Sequence, residues 1–354
     1  MLKLTDTQRE LIDTVRRVVQ KEIAPIAREI DEKEEFPRHL IPLFGEMGLM
    51  QARIPEAYGG LGLDLTTMCL LSEEVAKVSH ACTPLIGLNS MTALPILHIG
   101  TEAQKQYWIP RLVSGEAPGA IGMTEPGAGS DLKALRTSAI LQGDHYLVNG
   151  SKTFITSGIR ADFYTVAVRT GDAGRDYEPP RSPASHGSLP PEGALAALGR
   201  PGGGKGSAGI SMLLIPGHSA GLSRSKLDKM GWLCSDTAHL RFDNVRVPAR
   251  YLLGEEGAGF RIIMANFNGE RFGLAASALG FAEACYDEAL AWARQRKTFG
   301  AALVEHQVIR HKLVDMHMRI QSTAAWCESV AAQADAGRTG PEWVASVCLL
   351  KNHA

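Results

Sequence analysis

The chain of 354 residues carries 37 basic and 38 acidic side chains, which gives a formal net charge of −1 at pH 7. At roughly 150 residues per domain this length predicts two or three domains, and the hydrophobic share of 45% is ordinary for a globular protein. The balanced charge excludes a broad basic surface for nucleic acid or anionic membranes and leaves small charged or neutral ligands open.

Residues 1–117 show a helical spacing of apolar side chains and predict an all-α N-terminal domain. Thr5 and Gln8 fit a capping box at the start of the first helix. The sequence shows no signal-peptide core, transit segment or apolar span of 18 residues. The six cysteines are scattered singly without a CxxC pair, which favours a reducing compartment, and the expected localisation is cytoplasmic.

Residues 118–250 contain short β-rich runs and predict a middle domain built on an antiparallel sheet. Turn signals such as Gln142-Gly143-Asp144 and Asn149-Gly150 separate these runs. Within this domain, residues 171–208 are rich in proline and glycine and offer little apolar surface to bury. We therefore expect a disordered surface insertion between two strands there.

Residues 251–354 return to helical periodicity and predict a C-terminal helical bundle. One apolar stripe along the first long helix is expected to be buried, and it comprises Phe260, Met264, Phe267, Leu274, Ala278, Phe281 and Cys285. A second stripe comprises Ile309, Leu313, Met316, Ile320, Ala324 and Cys327. The sequence ends within a third helix, so the bundle is expected to be incomplete. The order α, β, α predicts an α+β multidomain fold class.

Two apparent ligand motifs do not meet the requirements of their chemistry. Residues 199–206 nearly match the Walker A sequence pattern, but Gly206 takes the position of the Ser or Thr that would bind magnesium. His306 and His311 lie five residues apart and miss the i, i+4 spacing that places two ligands on one helical face. The sequence therefore predicts neither a P-loop nor a metal site.

The segment Thr124–Asp131 follows a short apolar strand and is rich in glycine. Gly127 and Gly129 would permit a left-handed backbone and the close approach of a ligand, and Ser130 adds a hydroxyl donor. Such a loop can hold a phosphate through its backbone N–H groups. A plain connection between strands is the alternative interpretation.

The segment Lys152–Gly158 is predicted to be a strand with Phe154 and Thr156 on one face. Thr153 and Ile155 then lie on the other face. An aromatic side chain beside a hydroxyl suits a flat heteroaromatic ring that needs both stacking and a hydrogen bond at its edge. A strand without a binding role is the alternative interpretation.

Two further candidates lie in the predicted C-terminal helices. Glu270 borders an apolar face, three residues after Phe267 and four before Leu274, and desolvation there raises basicity as a general base requires. The alternative is a solvated carboxylate paired with a neighbouring arginine. Arg296 lies at the basic end of the same helix. It could serve in ordinary helix capping or could pair with a phosphate, and the sequence leaves both interpretations open.

Taken in this order, the motifs resemble those of the acyl-CoA dehydrogenase family. The matching segments are Met123–Asp131, Asn149–Thr156, Lys229–Thr237, Val245–Pro248, Leu253–Gly257, Glu270-Arg271 and Arg296–Gly300. The resemblance covers nearly the whole chain outside residues 171–208. It implies non-covalently bound FAD and oxidation of an acyl-CoA thioester to its 2,3-enoyl-CoA. A carboxylate removes the proton next to the thioester carbonyl, and hydride passes to the flavin N5.

The resemblance also implies roles for individual residues. The implied cofactor-binding residues are Met123, Thr124, Gly129, Ser130, Phe154, Ile155, Thr156, Arg296, Phe299 and Gln307. The implied substrate-binding residues are Ser130, Asn268 and Arg271. Phe154 would cover the flavin ring, whereas Arg296 and Phe299 would reach the FAD of a neighbouring subunit in a homotetramer formed as a dimer of dimers. The implied electron acceptor is an electron-transfer flavoprotein.

The family places its catalytic glutamate at one of two positions, and Glu270 matches the early one, as in the long-chain and isovaleryl branches. Phe154 stands where many members carry tryptophan, and the sequence lacks the family's final helices. Two alternatives follow from the same residues. The fold could pass electrons to oxygen, as in acyl-CoA oxidases and flavin monooxygenases, or the chain could be a truncated, non-catalytic acyl-CoA-binding protein.

Overall fold

The computed structural model describes residues 4–50, 52–170 and 209–354, except the side chains of 87–90. The predicted insertion at 171–208 lies outside the described residues. Contacts divide the chain into two compact units, each assembled from separate stretches of sequence. The first unit comprises Met1–Glu29, Leu63–Thr83 and Asn268–Ala354, and the second comprises Ile30–Gly62 and Pro84–Phe267.

Helices at both ends of the chain flank a sheet in the middle, which confirms the predicted α+β fold class. The helices are α1 (Asp6–Val18), α2 (Ala27–Glu32), α3 (Leu40–Glu46), α4 (Leu65–Ala76), α5 (Pro84–Ile99), α6 (Glu102–Val113), α7 (Gly259–Gln295), α8 (Gln307–Asp335) and α9 (Pro341–His353). The strands are β1 (Gly119–Gly122), β2 (Ser138–Gln142), β3 (His145–Thr156), β4 (Phe163–Arg169), β5 (Ile210–Pro216), β6 (Leu222–Lys226), β7 (Thr237–Pro248), β8 (Leu252–Leu253), β9 (Lys297–Thr298) and β10 (Ala301–Ala302). The division into three domains at 1–117, 118–250 and 251–354 stays a prediction.

Helix N-termini in the first unit are capped by side chains that lie either nearby or far away in the sequence. The Thr5 hydroxyl accepts the Gln8 backbone N–H, and the Gln8 side chain accepts the Thr5 N–H, so the predicted capping box is confirmed. Asp64 caps α4 by accepting the Thr67 N–H at 2.6 Å. Asp335, at the end of α8, accepts the Leu65 N–H at 2.9 Å and thereby ties α8 to the first turn of α4.

The buried face of α7 in the first unit differs from the predicted stripe. The core of this unit comprises Leu65, Cys69, Phe272, Ala275, Ala276, Leu279, Ile320, Cys327, Val330, Ala331, Trp343, Val347 and Leu350. Leu274, Phe281 and Cys285 are instead exposed, so the stripe was wrong at these three positions. Because α7 carries apolar residues on more than one side, spacing alone does not select the face that packs. The stripe predicted for α8 is confirmed at Leu313, Ile320 and Cys327, which are buried.

At Gly280, α7 lies close to the backbone of α4. A Cβ atom built on Gly280 would lie 2.3 Å from the carbonyl oxygen of Glu73, far inside van der Waals contact. A side chain at this position would therefore force the two helices apart. The close approach explains why glycine is tolerated in the middle of a long helix despite its low helical propensity.

A half-buried cluster of charges joins α4 to α7 within the first unit. The Lys77 ammonium lies 2.8 Å from a Glu73 carboxylate oxygen, 2.9 Å from Glu74 and 2.9 Å from Glu283. Arg16 adds a second cation at 2.9 Å from Glu74. Burial, reinforced by the neighbouring Glu283, raises the pKa of Glu73 to about 7, because Lys77 offsets only part of the desolvation.

The second unit is built on one eight-stranded sheet among the described residues. Its strand order is β6-β7-β3-β2-β4-β5-β8, and β1 pairs with β4. Most neighbouring strands are antiparallel, as predicted, but β4 pairs in parallel with β1 and with the start of β2 at Ser138. Tyr146, Val148, Val166, Leu213 and Val245 lie in the apolar core of the sheet.

Helices α5 and α6 complete the second unit, and their apolar side chains share a core with β4 and β5 that includes Ile96, Ile109, Phe163 and Met212. The stretch His80–Ile99 is long and apolar enough to cross a membrane by length and composition. The expectation that the sequence has no such span was therefore wrong. Half of this stretch is buried inside the protein, and core helices pass the same test, so it is weak evidence for a membrane span.

Candidate active site

A glycine-rich turn leaves the end of β1 and is closed by its own backbone. The Glu125 N–H donates to the Ala128 carbonyl at 2.9 Å, and the Ala128 N–H donates back at 3.1 Å. Gly127 and Gly129 do not have positive φ, so the turn closes without the left-handed backbone that glycine would permit. A Cβ atom on either glycine would meet nothing within 4 Å. The turn therefore borders open space that a ligand could approach closely.

The residues on either side of these glycines differ in exposure. Met123 is buried and packs in the apolar core, so only its backbone is available at the site. Thr124 is half-buried, and Ser130 is exposed beside Gly129. The chain therefore presents hydroxyl and backbone groups along this turn.

Phe154 lies at a bulge in β3 and has an unusual backbone. The pairing of β3 with β7 shifts register between Lys152 and Ile155, and Phe154 has a φ of +58°. Its side chain is 69% exposed, although large apolar side chains are usually buried. A left-handed conformation at a non-glycine residue is strained and is often found at functional sites. The bulge thus holds an aromatic ring out of the sheet.

The residues after Phe154 belong partly to the core and partly to the surface. Ile155 is 2% exposed and packs in the core of the sheet, so its side chain is not available to a ligand. Thr156 is half-buried and pairs with Thr237 of β7. The Ser157 N–H donates to the Asp236 backbone carbonyl at 2.8 Å, which fixes the corner after Thr156.

A buried ion pair links the glycine-rich turn to β3. Lys152 has no exposed surface, and its ammonium lies 2.8 Å from Glu125 Oε1. Burial lowers the pKa of Lys152 to about 8, although Glu125 opposes that change. Burial by itself raises the pKa of Glu125, but Lys152 and hydrogen bonds from Thr137 and Arg136 outweigh it and hold that pKa below its usual value. Each group thus favours the charged form of the other and offsets part of its desolvation.

Sequence reasoning did not assign a role to this pair. Both residues belong to the motif segments, yet nothing local in the sequence indicates that Glu125 and Lys152 meet. The available signal was a lysine within a predicted strand, near Phe154 and Ile155, since a lysine is almost never fully buried unless it is paired.

Glu270 lies on α7 within the first unit and has the features of a desolvated carboxylate. Burial raises the pKa of its carboxyl, and the adjacent Arg271 opposes this only in part. Among the described residues, the buried Oε2 atom has no hydrogen-bond partner. An unsatisfied buried carboxylate oxygen is costly to the fold, which points to a functional reason for its presence.

Asn268 and Arg271 form a local pair on the same stretch of α7. Asn268 is buried, and its Oδ1 accepts a hydrogen bond from Arg271 Nη1 at 3.2 Å. The buried Oε2 of Glu270, which has no hydrogen-bond partner among the described residues, disfavours the alternative of a solvated Glu270 paired with an arginine.

Arg296, Phe299 and Gln307 surround a small hairpin formed by β9 and β10. Phe299 and Gly300 have φ of +52° and +81°, as a two-residue type I′ turn requires. The Phe299 side chain is fully exposed at the tip, and Arg296 and Gln307 are exposed beside it. His306 Nε2 lies 3.2 Å from the Thr298 carbonyl and closes the base of the hairpin.

The structure brings two of the candidate segments into contact, and the other candidates lie in a different unit. The Thr153 N–H donates to the Thr124 carbonyl at 2.9 Å, so the glycine-rich turn and the Phe154 bulge are neighbours in the second unit. Glu270 with Asn268 and Arg271, and the hairpin with its flanking residues, belong to the first unit.

Comparison with known proteins identifies the family of the chain. Residues 5–116 match the N-terminal domain, residues 120–180 the middle domain and residues 257–353 the C-terminal domain of acyl-CoA dehydrogenases. The chain belongs to the acyl-CoA dehydrogenase family. The members of this flavoprotein family are oxidoreductases that act on acyl-CoA, which confirms the resemblance stated from the motifs.

Relatives and solved structures agree with this membership. An acyl-CoA dehydrogenase of Bacillus subtilis is 38% identical over 324 residues, which are 91% of this chain and 77% of that protein. Mitochondrial isovaleryl-CoA dehydrogenase of Arabidopsis thaliana is 34% identical over 98% of this chain and 78% of its own length. The structure of butyryl-CoA dehydrogenase from Megasphaera elsdenii superposes with a TM-score of 0.85 at 34% identity, covering 100% of this chain and 85% of that one.

Proposed function

We propose that this acyl-CoA dehydrogenase oxidises an acyl-CoA thioester to its 2,3-enoyl-CoA with Glu270 as the catalytic base. The single observation that carries this proposal is the state of Glu270: its carboxyl is desolvated, its pKa is raised, and Oε2 has no hydrogen-bond partner among the described residues. A carboxylate in these surroundings is a stronger base than a solvated one, because neutralising it relieves the cost of burial.

The second unit supports FAD as the cofactor. Gly127 and Gly129 border open space that any larger side chain would begin to fill, and Ser130 offers a hydroxyl there for a phosphate. Phe154 is held out of the sheet with most of its ring exposed, as stacking on a flavin requires. Bound FAD would supply the hydride acceptor, and Met123, Thr124, Gly129, Ser130, Phe154, Ile155 and Thr156 are the residues we propose to hold it. Met123 and Ile155 would contribute through their backbone, since both side chains are buried.

The proton is removed from the carbon next to the thioester carbonyl. Glu270 Oε2 takes this proton and leaves the carboxyl group neutral, which its desolvated surroundings favour. Asn268 and Arg271, joined by their hydrogen bond, are proposed to bind the substrate in the first unit. Ser130 is proposed as a substrate-binding residue of the second unit.

Partners and assembly follow the same reasoning. The exposed hairpin with Phe299 at its tip supports a contact with another subunit, in which Arg296, Phe299 and Gln307 reach the partner's FAD. We therefore propose a homotetramer formed as a dimer of dimers. From membership of the family we also propose an electron-transfer flavoprotein as the electron acceptor. We further propose a cytoplasmic location.

The base is tested with Glu270→Gln in the purified flavoprotein. The variant should remain yellow, while anaerobic addition of acyl-CoA bleaches its flavin roughly 10²- to 10⁴-fold more slowly than in the wild type, the usual contribution of a general base. Glu288→Gln is the matched control, because Glu288 is an exposed glutamate on the same helix. Bleaching of Glu270→Gln at the wild-type rate, with short, branched and long acyl-CoAs alike, would remove Glu270 from this role.

A further inference from the structure

The ion pair between Lys152 and Glu125 is unusual for its degree of burial. Lys152 is 0% exposed and the Glu125 side chain is 7% exposed, with 2.8 Å between Nζ and Oε1. Removing two charges from water costs several kcal/mol, and apolar residues of similar volume are often at least as stabilising. Stability of the sheet therefore does not by itself explain why charged groups occupy this place.

The contacts of the pair indicate what it does. Besides Glu125, the Lys152 ammonium donates to the carbonyl of Met123 at 3.1 Å. The Glu125 carboxylate also accepts the backbone N–H groups of Arg136 at 2.7 Å and Thr137 at 2.9 Å. The pair thus fixes the exit of the chain from β1 and the return of the chain into β2.

The same pair bears on the bulge that presents Phe154. Lys152 immediately precedes the register shift in β3, and the next residue, Thr153, donates its N–H to the Thr124 carbonyl. The Lys152 side chain therefore contacts Met123 and Glu125, and the backbone of Thr153 contacts Thr124 between them. Because both charged groups are buried, they do not contact a ligand directly. Any effect of the pair on ligand binding is exerted through Met123, Thr124 and the bulge.

We propose that Glu125 and Lys152 are positioning residues that hold the glycine-rich turn and the Phe154 bulge in the geometry that binds FAD. This inference rests on the proposed function in that the ligand is FAD. The alternative, a pair that only stabilises the fold, predicts that its removal lowers stability without a specific effect on the turn or on cofactor affinity.

The test removes both charges together, because a single substitution would leave the other charge buried and unpaired. Lys152→Met/Glu125→Gln is compared with Arg16→Met/Glu74→Gln, which alters an ion pair of the first unit whose carboxylate side chain is also 7% exposed. In each apoprotein, FAD affinity is measured by quenching of FAD fluorescence. Hydrogen exchange is measured for peptides covering residues 123–137 and 150–158, and urea unfolding monitors the fold.

We expect Lys152→Met/Glu125→Gln to fold, to bind FAD about tenfold more weakly or worse, as when supporting contacts of a binding site are removed, and to exchange faster in those two peptides. The control should retain wild-type affinity and exchange there. Unchanged affinity and exchange in Lys152→Met/Glu125→Gln, or equal losses in the control, would overturn the proposal. If wild-type apoprotein took up no FAD, the proposed function would fail instead, and the exchange data alone would decide whether the pair positions the turn.

Discussion

The strained backbone of Phe154 predicts that its substitution by glycine and by alanine will separate folding from cofactor binding. The side chain is 69% exposed, so only about a third of roughly 200 Å² is buried, and truncating it loses about 1.5 kcal/mol at about 25 cal/mol per Å². The φ of +58° costs a non-glycine residue about 1 kcal/mol, which glycine avoids and alanine does not.

Phe154→Ala should therefore lower the free energy of unfolding by about 1.5 kcal/mol, and Phe154→Gly by only about 0.5 kcal/mol. Both variants lose the ring, so both should bind FAD roughly fivefold more weakly, the equivalent of about 1 kcal/mol of aromatic stacking. Urea unfolding of the apoproteins and quenching of FAD fluorescence measure the two effects, and Phe154→Trp serves as the control that keeps a ring. An alanine variant as stable as the glycine variant would refute the strain, and unchanged FAD affinity would refute the stacking.

Three further predictions concern the first unit. Burial raises the pKa of Glu270. The contribution of Glu270 to the free energy of unfolding is therefore present below its ordinary pKa of 4.5 and is lost as pH rises through the raised value. In urea unfolding, Glu270→Gln should become more stable relative to the wild type as pH increases. For Glu73, whose pKa burial raises from 4.5 to about 7, the same sign applies between these two pH values, so Glu73→Gln should gain stability relative to the wild type in urea unfolding as pH rises through that range, and a difference that does not change with pH would refute this. Phe299→Asp, at the exposed hairpin tip, should leave the fold intact by circular dichroism but reduce the mass measured by light scattering; an unchanged mass would argue against the hairpin as a subunit contact.

Local features of the fold could be predicted from the sequence because they depend on neighbouring residues. The capping box of Thr5 and Gln8 needs only four consecutive positions, and the α, β, α order follows from a change of hydrophobic period. Glu270 was identified as a candidate because it borders an apolar face, which is also a local property.

The features that sequence reasoning missed depend on contacts between distant segments. Glu125 and Lys152 are 27 positions apart, and only the pairing of the strands brings them together. The bulge at Phe154 arises from the register between β3 and β7, which no pattern within β3 specifies. The face of α7 that packs is chosen by α4, α8 and α9, so the apolar spacing left Leu274 and Phe281 on the wrong side.

The absence of a side chain at Gly280 bears on the position of Glu270 as well as on helix packing. A helix advances about 1.5 Å per residue, so Gly280 lies about 15 Å along the α7 axis from Glu270. An intact helix is stiff over that length, so a displacement of α7 where it crosses α4 also displaces the part of α7 that carries Glu270. A methyl group added at Gly280 would therefore move the Glu270 carboxylate without touching it, so the backbone contact with Glu73 helps to set where that carboxylate lies.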